Sequence, residues 1–360
     1  MMLAVDARWM VGEYRGMGRY ARSFIEPVQD SVSAFLPESS PAGDLRAYCE
    51  GNGFFPWWEQ QVLPAMCGKY KVERLLCPYN TGPLRLRSAT ELILVVHDLI
   101  FLESWRSLPP SVSPYQTLGR VYRRYVVPGV IARADKIVTV SEYTKGEILK
   151  RFNLKDESVL VIPNSLDASW YEQNEEAVES HAPYVLAVSG EAPSKNLSAL
   201  LHAFSLLKKR GGRDVVELQL RIVGIKQAHQ AHFIKRAEQL GIGSSVVFER
   251  FVDEITLRSL YRNAELFVMP SLFEGFGIPV LEAMASGTAV VCSNTTSLPE
   301  VVGDAGWLFD PYSIEHMAGV LLDAWRDSCA RAQCAERGLK QAQKYHRKVV
   351  NAAIENFWEK

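Results

Sequence analysis

From Ser271 the chain reads Ser271-Leu272-Phe273-Glu274-Gly275-Phe276-Gly277-Ile278-Pro279-Val280-Leu281-Glu282, continuing through Ala283-Met284-Ala285-Ser286-Gly287. A glycine-containing loop followed by a helix that begins near Pro279 is expected, because proline fits the first helical turn, where its missing N–H would have no partner. Gly275 and Gly277 allow the backbone to approach a ligand closely. The free N–H groups and positive dipole end of such a helix suit an anion. Glu274 in the loop and Glu282 in the helix are two carboxylates beside that anion site, a pairing suited to hydroxyl groups such as those of sugars. The plainer reading is a helix start with two surface glutamates, and these residues alone leave both open.

Two other places invite chemistry. Arg15-Gly16-Met17-Gly18-Arg19-Tyr20-Ala21 has the Gly-x-Gly-x-x-Ala form of a dinucleotide fingerprint. Its glycines start about ten residues after Asp6, too late for the turn of a nicotinamide-binding unit, and no acidic ribose clamp follows at the required distance. A nicotinamide-dependent oxidoreductase is therefore a rival reading with weak support. His97-Asp98 ends an apolar run, which places an imidazole where a ligand would sit. A structural histidine at a strand end is the alternative.

The elements that must hold these residues are short apolar runs, each ending in small or polar residues: 92–96, 136–140, 159–162, 184–188, 218–223, 266–269 and 289–292. Continuous apolar runs of this length indicate strands buried on both faces, and the helix-like stretches between them indicate parallel β-α-β units. Ligands in such sheets lie beyond the carboxyl ends of the strands. The polar, aperiodic stretch from Asp167 to Pro183 reads as a linker between two α/β domains. Val349, Val350, Ala353, Ile354 and Phe357 fall at helical spacing near the end of the sequence.

With 360 residues, 48% hydrophobic and 22% charged, the composition is that of a globular protein of about two domains. Forty basic residues against 41 acidic ones give a net charge of −1, which argues against nucleic acid as a partner. Mean hydropathy of −0.05, no apolar stretch of membrane-spanning length and no secretory leader point to the cytoplasm. Six scattered cysteines read as reduced thiols. There is no Asp-x-Asp triplet, P-loop or Gly-x-Ser-x-Gly, so no metal and no other cofactor is expected. Arg120, Arg123 and Arg124 share a helix face with Tyr122 and Tyr125. Lipid-facing and merely solvated readings of that face compete. Trp57, Trp58 and Trp105 read as core.

Glu274-x7-Glu282 with Gly-Phe-Gly between them, followed by Ser286-Gly287-Thr288-Ala289-Val290-Val291 and Leu298-Pro299-Glu300-Val301-Val302-Gly303-Asp304, resembles the signature of retaining GT-B glycosyltransferases of family 4 (group 1). The likeness covers most of the chain and is similar in detail to bacterial mannosyltransferases of lipopolysaccharide O-chain synthesis. It implies two Rossmann-like α/β/α domains facing across a cleft. The acceptor-binding domain would be residues 1–175 plus a helix at about 343–360, and the nucleotide-sugar-binding domain residues 176–342. By that resemblance Glu274 contacts the donor sugar and Glu282 the ribose. Phe276, Gly277 and Ile278 face sugar and diphosphate. Gly190 and Lys195 serve the diphosphate, Gly16, Gly18 and Arg19 approach it from the other domain with Arg15 as a further charge, and His97 lies near the transferred sugar.

The arginine that many members carry at 191 or 194 is absent, since Glu191 and Ser194 stand there. The implied activity is metal-independent, retaining transfer of a hexose, mannose or a related sugar from a GDP-sugar, to a saccharide or polyprenyl-linked acceptor. On the lipid-facing reading of the Arg120, Arg123 and Arg124 face, a lipid-linked acceptor would go with peripheral contact at the inner face of the plasma membrane, whereas a solvated face would not. A catalytically inactive GT-B partner of another transferase is the alternative.

Overall fold

All seven apolar runs are strands in the computed structural model, which describes residues 2–11, 16–38, 40, 44–87, 89–110, 114–172, 182–249 and 252–359. Contacts divide the chain into two units. Residues 1–103, 113–165 and 348–360 form the first, and residues 104–112 and 166–347 the second.

The first unit carries β1 (Leu3–Asp6), β2 (Val32–Leu36), β3 (Arg46–Cys49), β4 (Arg74–Cys77), β5 (Glu91–Val96), β6 (Lys136–Thr139) and β7 (Val159–Val161). Their order in the sheet is β3-β2-β1-β4-β5-β6-β7, every pair parallel. The central strands are apolar because helices cover both faces. Leu75, Leu92, Leu94, Val96 and Ile137 are buried with Trp58, Val127, Val130 and Ile131 in one core.

The second unit carries β8 (Tyr184–Val188), β9 (Gln219–Val223), β10 (Val246–Phe248), β11 (Leu266–Met269), β12 (Val290–Ser293) and β13 (Gly306–Phe309), again all parallel, in the order β10-β9-β8-β11-β12-β13. Its separate core joins Leu220, Ile222, Val268 and Val291 to Leu200, Phe204, Met317 and Leu321 of the covering helices.

In each sheet the strand order reverses once, between β1 and β4 in the first unit and between β8 and β11 in the second. Connections leaving neighbouring strands toward opposite faces open a crevice there, beyond the carboxyl ends. The topology therefore singles out the residues after Asp6 and Cys77, and those after Val188 and Met269.

Four expectations change. Gly16 and Gly18 are not in a loop: the helix Gly16–Ile25 begins at the first of them. Arg15 lies outside the described residues. The stretch read as a linker is ordered at its start, where Leu166 pairs with His346, Asp167 binds Arg347 at 2.7 Å and Trp170 is buried, while 173–181 lie outside the described residues. The basic face of the helix Pro114–Arg133 is partly turned inward. Arg120 donates to the Glu103 carbonyl at 2.7 Å and Arg124 to the same carbonyl at 2.9 Å, sealing the end of a 3-10 turn. Trp58 is core, but Trp57 and Trp105 are exposed.

Candidate functional site

The crevice between β8 and β11 gathers the second unit's chemistry. β8 ends at Val188, and the following Ser189-Gly190 passes so close to Gly224 that a Cβ there would stand 2.5 Å from the Ser189 carbonyl oxygen. The turn Pro193–Lys195 then leads through left-handed Asn196 into the helix Leu197–Gly211. From the neighbouring strand, β11 ends at Met269 and the loop to Gly277 follows. The two loops are joined by the Leu272 N–H donating to the Ser194 carbonyl at 2.7 Å.

Lys195 Nζ lies 2.6 Å from Glu274 Oε1. The lysine is about a third exposed and the glutamate less, 32% against 13% for their side chains, so the pair sits at the mouth of the crevice within reach of a ligand. The Glu274 loop is braced from behind by the β12 connection. Its backbone N–H donates to Thr296 Oγ1 at 3.1 Å, and the Ser297 hydroxyl donates to the Glu274 and Phe276 carbonyls at 3.1 and 2.9 Å. Phe276 is buried edge-on against Tyr345, with ring centres 5.4 Å apart. Ser189 Oγ is buried and has no hydrogen-bond partner among the described residues, a polar atom left for something from outside.

Gly277 caps the helix Ile278–Ala285 with φ +107°. A Cβ at that position would lie 2.5 Å from Leu298 Cδ2. Only glycine both adopts this backbone and leaves the space. Pro279 has no N–H and those of Val280 and Leu281 donate to the Gly277 carbonyl at 2.9 and 3.3 Å, so the helix start offers an anion its positive dipole end and the Ile278 N–H. Gly277→Ala is expected to lower stability by about 2 kcal/mol, from left-handed strain together with the clash. Thermal unfolding of the variant measures it, and an unchanged melting temperature would refute the packing described.

Glu282 is buried inside that helix and accepts a hydrogen bond from the Tyr261 hydroxyl at 2.9 Å. Tyr261 is itself fully buried, and burial followed by the neighbouring carboxylate drives its phenol well above the ordinary range. Glu282 is thus tied to the core as well as placed beside the crevice.

Glu191 does not stand alone. Its carboxylate, largely buried, lies 3.8 Å from Lys226 Nζ, at the start of the helix Gln227–Gln239. Lys226 follows β9 as Lys195 follows β8, and its charge offsets the one that Glu191 introduces. An arginine at 191, which would restore a cation on sequence grounds, would meet Lys226 instead. Sequence reading passed over Lys226, although a lysine two residues after Gly224, the glycine that follows β9, was a usable signal. It also missed Thr296, Ser297 and Tyr261, whose partners are tens of residues away.

In the first unit, Gly16, Gly18 and Arg19 lie in the first turns of the helix Gly16–Ile25, with Gly18 buried and Arg19 exposed. His97 follows β5 directly and is buried. Its backbone N–H donates to Asn80 Oδ1 at 2.5 Å, and its ring Nε2 lies 2.8 Å from the Pro78 carbonyl. A carbonyl only accepts, so Nε2 carries the proton and Nδ1 presents a lone pair. Burial lowers the imidazole's pKa, against smaller opposing effects of the Pro78 carbonyl and Asp98, and the ring packs edge-on against Tyr20 with centres 5.1 Å apart. His97 is thus a neutral, oriented imidazole. The structure brings Gly190, Lys195, Glu274, Phe276, Gly277, Ile278 and Glu282 together around one crevice of the second unit; Gly16, Gly18, Arg19 and His97 belong to the first.

The family model described as "Glycosyl transferases group 1" matches residues 170–341, and that described as "Glycosyltransferase Family 4" matches 77–170. O-antigen chain mannosyltransferase B of Escherichia coli is 32% identical over 227 residues, 59% of this chain and 57% of the relative. Serotype-specific mannosyltransferase WbdA of the same organism is 32% identical over 284 residues, 74% of this chain and 33% of that protein. The matched part thus spans between a third and three-fifths of the length of these relatives. The HepE protein of Anabaena, solved in complex with UDP-glucose, superimposes with a TM-score of 0.75 at 16% identity, over 99% of both chains. Two parallel-sheet α/β units, the Glu274–Glu282 loop and helix, and two adjoining family matches agree: the chain belongs to the group 1, family 4 glycosyltransferases of GT-B fold.

Proposed function

We propose that the protein transfers a hexosyl group from a nucleotide-sugar to a saccharide or polyprenyl-linked saccharide in cell-surface polysaccharide synthesis, retaining the anomeric configuration. Mannose is the sugar of choice, on the names of the relatives, with a GDP-sugar as the proposed donor. The observation that carries the reading is the Lys195–Glu274 pair at the second unit's switch point, beside the positive end of the helix Ile278–Ala285. Lysine suits a phosphate as a point charge, the helix start suits the same anion, and a carboxylate suits sugar hydroxyls.

In this reading Glu282 takes the ribose, Phe276, Gly277 and Ile278 line the sugar and diphosphate, and Gly190 lets the backbone come close to the phosphates. Gly16, Gly18 and Arg19 serve the donor from the first unit. As the nucleoside diphosphate leaves, its charge is met by N–H dipoles and Lys195, and the sugar gains oxocarbenium character. A donor phosphate oxygen takes the acceptor proton. His97, neutral, offers Nδ1 as a hydrogen-bond acceptor to a sugar hydroxyl. Exposed Phe54, Trp57, Leu118 and Tyr125 of the first unit support peripheral contact with the cytoplasmic membrane face, and among the described residues no helix is long and apolar enough to cross a membrane.

No divalent metal takes part in donor binding on this reading. Affinity for GDP and UDP, measured by calorimetry with and without EDTA, is expected to agree within about twofold. Loss of binding in EDTA would overturn the metal-free proposal. Release of GDP from GDP-mannose, with and without saccharide acceptors, tests the transfer itself and separates an active enzyme from an inactive partner.

A further inference from the structure

At the first unit's switch point, between β1 and β4, lies a buried charged cluster that the donor site does not use. Asp6 ends β1, and the guanidinium of Arg8 forks onto it, Nε to Oδ1 at 2.9 Å and Nη2 to Oδ2 at 2.5 Å. Arg8 is held over the Phe55 ring at 4.7 Å and reaches Glu59 Oε1 at 3.5 Å. Glu59 is fully buried. It sits in a π-helical turn, Trp58–Val62, whose wider winding brings Trp58 and Glu59 inward together. Trp58 Nε1 donates to Asp6 Oδ1 at 3.3 Å.

The other side of Glu59 faces the segment that follows β4. The Thr81 hydroxyl donates to Oε1 and the Tyr122 hydroxyl to Oε2, the latter at 2.7 Å. Next in the turn, Gln60 donates to the Gly82 carbonyl at 3.1 Å and accepts from the Leu84 N–H at 3.0 Å. The same short segment supplies both groups that fix His97, the Pro78 carbonyl and the Asn80 side chain. Asn80 is in the left-handed region, φ +67°, so the segment holds its shape only while its neighbours hold it.

We propose that Glu59 is a positioning residue that anchors segment 78–84 and thereby sets the ring orientation and tautomer of His97. This rests on the reading of His97 as a donor-side group only for its effect on transfer, not for its effect on the ring. The groups facing the Glu59 carboxyl among the described residues are Asp6 at the end of β1 and Arg8 beyond it, Cys77 at the end of β4 and Thr81 beyond it, Tyr122 from the helix Pro114–Arg133, and Gln60 beside it. Burial outweighs Arg8 and the two hydroxyls and pushes the Glu59 carboxyl up to about 7. On protonation its O–H must be accepted by Thr81 or Tyr122, both donors to the ionised form, so one hydroxyl turns. The anchor therefore changes its hydrogen bonds across neutral pH.

The test uses the full chain with ¹⁵N-labelled histidine, His97 being assigned by its absence in His97→Gln. In the wild type the ring is expected to show the Nε2–H tautomer, with a shift inflection near pH 7 that is not its own titration. Glu59→Gln, which preserves an acceptor and a donor, is expected to keep the tautomer and lose the inflection. Glu59→Ala is expected to mix the tautomers and to lower kcat about tenfold with nucleotide affinity unchanged. If Glu59→Ala fails to fold, Thr81→Val cuts the same link and is expected to give the same mixing. Wild-type ring signals in a folded Glu59→Ala or in Thr81→Val, or an inflection that persists in Glu59→Gln, would overturn the proposal. A wild type that transfers no sugar would sink the proposed function and leave the ring measurement to judge this inference.

Discussion

Glu274→Ala is expected to slow sugar transfer by about 10–100-fold while leaving affinity for free nucleoside diphosphate unchanged or tighter. A hydrogen bond from a charged group contributes about 1.5–3 kcal/mol, which sets that range when the bond is made in the transition state. The second half follows from the ion pair. Glu274 holds Lys195 at 2.6 Å, so in the free protein part of the lysine's charge is spent on a neighbour. Removing the carboxylate frees the ammonium for a phosphate. At an effective dielectric of about 20, one charge 6 Å away is worth roughly 3 kcal/mol, and the pair's partial exposure and salt reduce this. Lys195→Ala should do the reverse and cost far more affinity for GDP or UDP than for the bare nucleoside. Calorimetry on nucleoside and diphosphate with both variants, beside transfer rates, decides it. Equal loss of diphosphate affinity in the two variants would mean that Glu274 belongs to the nucleotide rather than to the sugar.

Glu282→Ala is expected to lower both stability, by about 3 kcal/mol, and nucleotide affinity, by tenfold or more. The substitution leaves the Tyr261 hydroxyl without this partner in a fully buried setting and opens space under the helix, and the two costs add. The expected fall in melting temperature is about 6–12 °C for a unit of this size. Glu282→Gln retains an acceptor for Tyr261 and should recover most of the stability. Tyr261→Phe removes the hydroxyl and leaves the carboxylate for ribose, so it should keep nucleotide affinity. If Glu282→Gln restores stability and nucleotide affinity alike, the charge of Glu282 plays no part in binding.

The sheets were legible where burial on both faces leaves a continuous apolar run, as in β5, β8 and β11. The strands outside those runs lie at a sheet edge, as β3, β10 and β13 do, or are interior with a broken or brief apolar stretch, as β2 is with Ser33 and β4 with Arg74. Arg46-Ala47-Tyr48-Cys49 is an exposed border strand with no need of an apolar run, and β10 is three half-buried residues. The loop and helix around Glu274 and Glu282 were legible because glycine, proline and carboxylate at fixed spacing act locally. What was not legible depends on partners far apart in the chain: Lys226 beside Glu191, Ser297 behind Phe276, and Arg120 and Arg124 turned onto the 3-10 carbonyls instead of toward solvent. Composition places an arginine on a helix face, but only tertiary structure says what it binds.

From Lys348 on, the helix Arg347–Glu359 belongs to the first unit, with Phe357 and Trp358 packed on Phe24 and the Trp358 indole donating to the Phe24 carbonyl at 2.7 Å. During synthesis, then, residues 1–165 leave the ribosome without the last piece of their own core, while 166–347 can gather most of theirs as they emerge. The half made first is completed last. At about 5–20 residues per second, the apolar face around Phe24 waits roughly 10–40 seconds for its cover, an interval in which a holding chaperone has work to do and a premature stop before Arg347 would leave the face permanently bare.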